Sequence, residues 1–281
     1  MKIKFLGVGS AFTTPEYFQS NLLITAPDGR KLLVDCGTDI RFSLGEASGH
    51  DYHHVAAEID AVYISHIHSD HIGGMEWLAI QTYFNPDQPR PRLFMEGRTM
   101  RNLWDESLRG GLGCIEGRRM NLTDYFECHA LPEDGTFQWG GIRFTLVKMP
   151  HILTGYRDFF SFGILMTPPG PDAPTVFFTT DTQFQPGLIS RIAPQVTVIF
   201  HDCETSPFKS VVHAHYDDLR TLPASVRAKM WLYHYQPYPD VQPEAEGFLG
   251  FVCKGQEMTF SAAGDRAFPE PAPRRRSGAE S

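Results

Sequence analysis

Residues 66 to 71 read His66-Ile67-His68-Ser69-Asp70-His71 and run straight into Ile72-Gly73-Gly74. Three imidazoles and a carboxylate are packed into six positions, directly after the β-forming run Ala61-Val62-Tyr63-Ile64. The cluster therefore falls where a buried strand gives way to a loop. Imidazole nitrogen and carboxylate oxygen are the donors that zinc and similar divalent cations accept. So short an HxHxDH run cannot put all four groups on one ion without strain. It predicts two neighbouring ions, with His66 and His68 on one and Asp70 and His71 on the other.

Three distant residues repeat the same placement. An apolar run ends at His151 after Phe144-Thr145-Leu146-Val147-Lys148-Met149-Pro150, at Asp181 after Val176-Phe177-Phe178-Thr179-Thr180, and at His234 after Lys229-Met230-Trp231-Leu232-Tyr233. Strand ends are rigid positions from which side chains far apart in sequence can converge on one point. The competing reading, scattered core or surface histidines, suits a single His beside a strand better than an ordered set of this kind.

The bulk properties agree with a soluble enzyme. The chain has 281 residues, of which 42% are hydrophobic and 21% charged, enough for a substantial core. A formal net charge of −8 predicts no broad basic face and argues against gripping long nucleic acid. A small anionic substrate held by metals stays open. The five cysteines, Cys36, Cys114, Cys128, Cys203 and Cys253, form no CxxC pair. They read as reduced thiols of a cytoplasmic protein. The opening Met1-Lys2-Ile3-Lys4-Phe5-Leu6-Gly7 is a strand and a turn rather than a signal peptide, and no apolar run approaches membrane length.

Strands are expected over 3–6, 21–25, 31–35 and 61–65, the second and third joined by a turn at Pro27-Asp28-Gly29. Helices are expected over 40–46, 75–84 and 99–108. The second half should carry strands over 136–139, 142–149, 160–166, 176–180, 196–201 and 230–233. Short helices are expected over 188–192 and within 216–229, the latter broken at Pro223. One folded unit is expected over 1–265. Residues 266–281, with Arg274-Arg275-Arg276, read as a disordered tail.

The HxHxDH motif, followed in order by His151, Asp181 and His234, resembles the metallo-β-lactamase superfamily. Asp35, in Leu32-Leu33-Val34-Asp35-Cys36-Gly37, matches that superfamily's early aspartate, which buttresses the metal loop. The resemblance spans about residues 1 to 262. It implies an α/β fold, a four-layer αββα sandwich with the metals at one edge of its two sheets. It also implies that His66, His68 and His151 hold one ion, that Asp70, His71 and His234 hold a second, and that Asp181 bridges them. The implied cofactors are two Zn2+ per chain, with Mn2+ as the alternative. Two such ions roughly 3.5–4 Å apart can supply hydroxide at neutral pH and clamp a phosphoryl group.

Two further segments resemble the ribonuclease Z-like branch: Phe5-Leu6-Gly7-Val8-Gly9-Ser10-Ala11, and Phe200-His201-Asp202-Cys203-Glu204, with Asp202 in place of that branch's glutamate. His215, in Val212-His213-Ala214-His215-Tyr216, stands where the branch has a catalytic histidine. The leaving alkoxide of a phosphodiester needs a proton, and a histidine oriented by a carboxylate suits that task. His215 is therefore expected to be the general acid and Asp202 its orienter, with His213 competing for the same role. Cys203 is expected to be a buried thiol. His50, His53, His54 and His129 match no motif position.

The tRNA-maturing members carry a long basic arm between the third histidine and the bridging aspartate. Here 29 residues separate His151 from Asp181, used up by a loop and two strands. This moves the expected substrate towards a small phosphodiester. The similarity is then to the arm-less branch of cyclic-nucleotide phosphodiesterases that includes phage anti-Pycsar enzymes and their bacterial relatives. It implies hydrolysis of a 3′,5′-cyclic nucleotide by a homodimer with no membrane partner. An RNA-processing phosphodiesterase or exonuclease, and a catalytically weak nucleotide sensor, are the alternatives. In the loop after His151, an aromatic could stack on a base and Arg157 could meet phosphate. Equally, Phe159 and Phe160 could begin the next strand and Arg157 could pair with a surface carboxylate.

Overall fold

Alternation decides the first sheet. In Leu22–Thr25, Lys31–Val34 and Ala61–Tyr63, successive side chains point to opposite faces, and both faces are buried. Leu22, Ile24, Leu32, Val34, Ala61 and Tyr63 enter one core, while Leu23, Leu33 and Val62 enter another. A sheet buried on both sides needs a layer on each. The computed structural model, which describes residues 1–49 and 55–261, supplies them.

The strands of the first half are β1 (Lys2–Phe5), β2 (Leu22–Thr25), β3 (Lys31–Val34), β4 (Ala61–Tyr63) and β5 (Arg92–Glu96). A small hairpin, β6 (Cys114–Ile115) and β7 (Arg118–Arg119), and then β8 (Glu127–Leu131) follow. The second half holds β9 (Thr136–Trp139), β10 (Ile142–Ile152), β11 (Phe159–Thr167), β12 (Val176–Phe178), β13 (Val198–Asp202), β14 (Met230–Tyr233), β15 (Gly250–Phe251) and β16 (Glu257–Thr259).

Two seven-stranded sheets result, ordered β16-β1-β2-β3-β4-β5-β8 and β15-β14-β13-β12-β11-β10-β9. Each is antiparallel at one end and parallel at the other. The parallel runs are β3-β4-β5-β8 and β12-β13-β14-β15. The sheets pack face to face through Phe5, Tyr63, Phe94, Phe144, Ile164 and Phe200, among others. Phe137 stacks between Phe94 and Phe144, with centroids 4.1 and 4.7 Å away, and Tyr63 donates its hydroxyl hydrogen bond across the sheets to the Phe162 carbonyl at 2.6 Å. Helices Ile40–Ser48 and Met75–Tyr83 cover the outside of the first sheet through Ile40, Leu44, Met75 and Leu78. Pro186–Ile192 lies in the layer outside the second. This is the expected αββα sandwich.

Several local expectations shift. The helix expected over 99–108 begins at Gly97, where the Glu96 side chain accepts from the backbone N–H groups of Arg98 and Thr99. It continues as wider π-type turns over Leu103–Leu108. The helix expected within 216–229 is two single turns, Tyr216–Leu219 and Ala224–Arg227. The β6–β7 hairpin, turning through Glu116 and Gly117 at positive φ, was not anticipated. His50, His53, His54, the expected unit end at 265 and the tail lie outside the described residues.

Candidate active site

The carboxyl ends of the central parallel strands of both sheets meet at one edge, where open α/β sheets present their ligand crevices. β3 leads into Asp35, β4 into His66 and His68, and the turn of helix Ser69–Ile72 carries Asp70 and His71. From the other sheet come Asp181 just after β12, Asp202 at the end of β13 and His234 after β14. His151 lies inside β10, where the pairing with β11 slips between Pro150 and Ile152. Such a bulge re-aims one side chain beside a site.

Three backbones at this edge are left-handed although none is glycine: Asp35 (φ 60°), Thr180 (φ 55°) and His234 (φ 63°). Strain of this kind clusters at functional sites. Gly37 has no side chain for a separate reason, because a Cβ there would stand 2.2 Å from the Asp70 carbonyl oxygen. The Asp35 loop and the histidine loop can then lie against each other.

Two groups of four donors share Asp181, and Asp202, His213 and His234 form a smaller third group beside them. His66, His68, His151 and Asp181 form the first, and Asp70, His71, Asp181 and His234 the second, with all donor atoms of a group within 4.8 Å of one another. His66 Nε2 and His151 Nε2 each stand 3.1 Å from His68 Nδ1. Asp181 Oδ2 is 3.8 Å from both His66 and His151, 3.3 Å from His71 and 3.4 Å from His234. Asp70 Oδ2 lies 3.3 Å from His71 and from His234.

Outer partners fix most of these rings. Asp35 accepts from His71 Nδ1, from the Ser65 hydroxyl and from the Ser65 backbone N–H, each at 2.8 Å. With its hydroxyl donated to Asp35, Ser65 Oγ can accept from His66 Nδ1 at 2.9 Å. His151 Nδ1 donates to the Val212 carbonyl at 2.9 Å. Each of these bonds turns the opposite ring nitrogen towards the cluster.

The carboxylates dominate the electrostatics. Burial opposes the charge on His71, yet Asp181, Asp70 and Asp35 raise its pKa well above the usual value. His234 is likewise pushed up to about 10, burial being outweighed by Asp181 and by contacts with Asp202 and Asp70. His66 is held well below the ordinary value by burial and by His71. His68 falls to about 4 through burial and His151. Burial disfavours the charge on Asp70 and Asp181 too, but the surrounding histidines keep both carboxyls below their usual range.

His71 Nε2 and Asp181 Oδ1 are buried with no protein hydrogen-bond partner. Leaving such groups without a hydrogen bond is costly, and a cation seated among them would satisfy both. Nitrogen and carboxylate donors in two groups of four suit divalent cations such as zinc. The residues present therefore fit the metals that the resemblance implies.

Asp202 does not pair with His215. Its Oδ2 accepts from His213 Nδ1 at 2.8 Å and from the Thr182 backbone N–H at 2.9 Å. The His213 ring centroid is 4.9 Å from that of His234 and 5.2 Å from that of His151, which places it against the cluster. His215 turns away. Its Nε2 donates to the Ser206 carbonyl at 3.0 Å, and its Nδ1 caps the helix Tyr216–Leu219 by accepting from Asp217 N–H at 3.1 Å. Burial works against a charge on His213, but Asp202 outweighs it and raises the pKa. Of the two histidines in this segment, the competitor holds the expected position.

The remaining candidates sort plainly. Cys203 is buried, and burial pushes its thiol well above the usual range. His129 pairs with Glu127 at 2.9 Å and stacks on Phe94 at the edge strand. Arg157 pairs with Glu106 at 2.6 Å rather than facing the cluster, and Phe159 begins β11.

A family model described as "Anti-Pycsar protein Apyc1" matches residues 1–258. The chain belongs to the anti-Pycsar Apyc1 family. One Apyc1 relative, from Paenibacillus harenae, is 35% identical over 254 residues, covering 90% of this chain and 97% of that protein. Among solved structures, the metallo-β-lactamase fold protein YhfI from Bacillus subtilis superposes with a TM-score of 0.70 at 18% identity, covering 92% of this chain and 98% of that one. A diphosphatase of the PhnP family gives 0.66 at 17% identity, with the same two coverages. The αββα sandwich is thus the metallo-β-lactamase fold. With the two donor groups at its edge, this Apyc1 family member carries a candidate centre for divalent metal. No helix among the described residues is long and apolar enough to cross a membrane.

Proposed function

We propose that this chain hydrolyses a 3′,5′-cyclic nucleotide with two divalent cations, Zn2+ in the first instance and Mn2+ as the alternative. His66, His68 and His151 would hold one ion, Asp70, His71 and His234 the other, and Asp181 both. The observation that carries the reading is Asp181 Oδ2, 3.3 to 3.8 Å from the inward nitrogens of both histidine sets. Such a pair of ions supplies a nucleophile at neutral pH by acidifying water and offsets phosphoryl charge.

The chain's own groups complete the reaction. Asp202 holds His213 by Nδ1, so that His213 Nε2 can give a proton to the departing ribose oxygen as water adds to phosphorus and one ester bond breaks. This replaces His215 in that role. Asp35 and Ser65 keep His71 and His66 in the tautomer with Nε2 bare.

Substrate size follows from the chain between His151 and Asp181. Only residues 153–158 link β10 to β11, and Gly155 and Arg157 are tied back to Asp158 and Thr154. A loop this short cannot embrace a tRNA. Family membership and the resemblance to cyclic-nucleotide phosphodiesterases support the ester named. A homodimer in the cytoplasm is part of the same proposal. No disulfide joins the five cysteines among the described residues, which is compatible with a reducing compartment.

The zinc-loaded protein, incubated with cyclic mononucleotides, linear dinucleotides and a tRNA precursor, should open a cyclic mononucleotide to the linear monophosphate. Trimming of the tRNA precursor alone would favour the RNA-processing reading. A two-metal protein inert towards all three and towards bis(p-nitrophenyl) phosphate, yet active on a thioester, would exclude a phosphodiesterase.

A further inference from the structure

Four of the five candidate ligand histidines have a polar partner behind Nδ1, hydrogen-bonded in three of them and at ion-pair distance in His234. His66 has Ser65 Oγ at 2.9 Å, His71 has Asp35 at 2.8 Å, His151 has the Val212 carbonyl at 2.9 Å, and His234 has Asp202 Oδ1 at 3.4 Å. His68 is the exception. It turns Nδ1 inward, and no hydrogen bond reaches its Nε2 among the described residues. It is also less buried than the other four.

What lies against His68 is the ring of Phe159. The two centroids are 4.7 Å apart and the planes differ by 9°, a face-to-face stack. Phe159 also meets His66 edge-on at 5.9 Å and lies 6.1 Å from His151, so one ring touches all three histidines of the first group. Its own place is fixed. It opens β11 opposite Ile152, just past the bulge that aims His151. The loop before it is pinned by the Arg157–Glu106 pair and by Thr154 Oγ1, which accepts from the backbone of Tyr156 and Arg157.

We propose that Phe159 is a positioning residue for the first cation, its stacked ring setting the plane of His68 as a hydrogen bond at Nδ1 sets that of His66, His71 and His151. The physical need is general. The torsion that turns an imidazole about its Cβ–Cγ bond is broad, whereas a ligand must be held within roughly 10–20° of its working orientation. A flat ring packed on one face denies that rotation. The inference rests on the metal reading of the site proposed above.

Cobalt(II) reports on both. Its binding to wild type, Phe159→Leu, Phe159→Tyr and His68→Ala is measured by competition with a chromophoric chelator and by the visible d–d spectrum. Leucine keeps apolar volume without a flat face, and tyrosine keeps the ring. Phe159→Leu should bind one of the two ions about tenfold more weakly, within the range seen when outer partners of metal ligands are removed. Its d–d bands should shift while the melting temperature of the metal-free protein holds. Phe159→Tyr should restore affinity and spectrum. The affected ion should be the one that His68→Ala loses. Unchanged cobalt affinity and spectrum in Phe159→Leu, with His68→Ala losing an ion, would overturn the role of Phe159 alone. Two ions retained by His68→Ala would remove His68 from the centre and this inference with it.

Discussion

Asp35 and His71 face each other across the junction of the Asp35 loop and the histidine loop, with His71 Nδ1 2.8 Å from Asp35 Oδ2. The same carboxylate binds the backbone and hydroxyl of Ser65, one residue before His66. One buried group thus orients a ligand of each proposed ion. Asp35→Ala should lower metal affinity by about 10–100-fold, as loss of an outer partner does. It should also cost the metal-free protein about 1–3 kcal/mol, because buried donors lose their acceptor. Chelator competition and denaturant melts check the two parts separately.

His213 and His215 should separate cleanly. His213→Ala should retain both ions and slow esters with poor leaving groups by about 10²–10⁴-fold, with a much smaller effect on p-nitrophenolate esters that need no proton. His215→Ala removes a helix cap and should cost about 1 kcal/mol of stability, leaving metal content and turnover near wild type. Metal analysis, turnover with both ester types and thermal melts of the two variants decide this.

Asp181 belongs to both donor groups. Asp181→Ala should therefore weaken both ions together, whereas His151→Ala should weaken one. Metal stoichiometry after gel filtration, by atomic emission, reads the difference directly.

The thiols should differ sharply in reactivity. Burial raises the Cys36 and Cys203 thiols far above their usual range, and Cys128 to about 11. Cys114 is exposed on the β6–β7 hairpin. A thiol-exchange reagent at pH 7.5 should label Cys114 first and reach Cys36 and Cys203 only on denaturation. Mass spectrometry of the partly labelled protein tests this.

The candidate ligands were legible in the sequence because each follows a run of β-forming residues, and strand ends are where parallel sheets converge. The αββα layering came from the resemblance to the metallo-β-lactamase superfamily, and the strands buried on both faces agree with it. The choice between His213 and His215 was not legible. Both sit in one loop, and the answer depends on how Glu204, which accepts from Ser206 Oγ and the Ser210 backbone, folds that loop. The bulge at His151 and the left-handed backbones of Thr180 and His234 arise from pairing between strands distant in sequence. The wider turns over Leu103–Leu108 likewise escape a reading by local pattern, which expected an unbroken helix.

Titration of the metal-free protein with Zn2+, following hydrolysis of a 3′,5′-cyclic nucleotide at each step, tests the central claim most directly. Turnover should rise up to two equivalents per chain, level off there, and be absent from Asp181→Ala at the same zinc level. Full activity at one equivalent, or none on any cyclic nucleotide with two ions bound, would contradict the account.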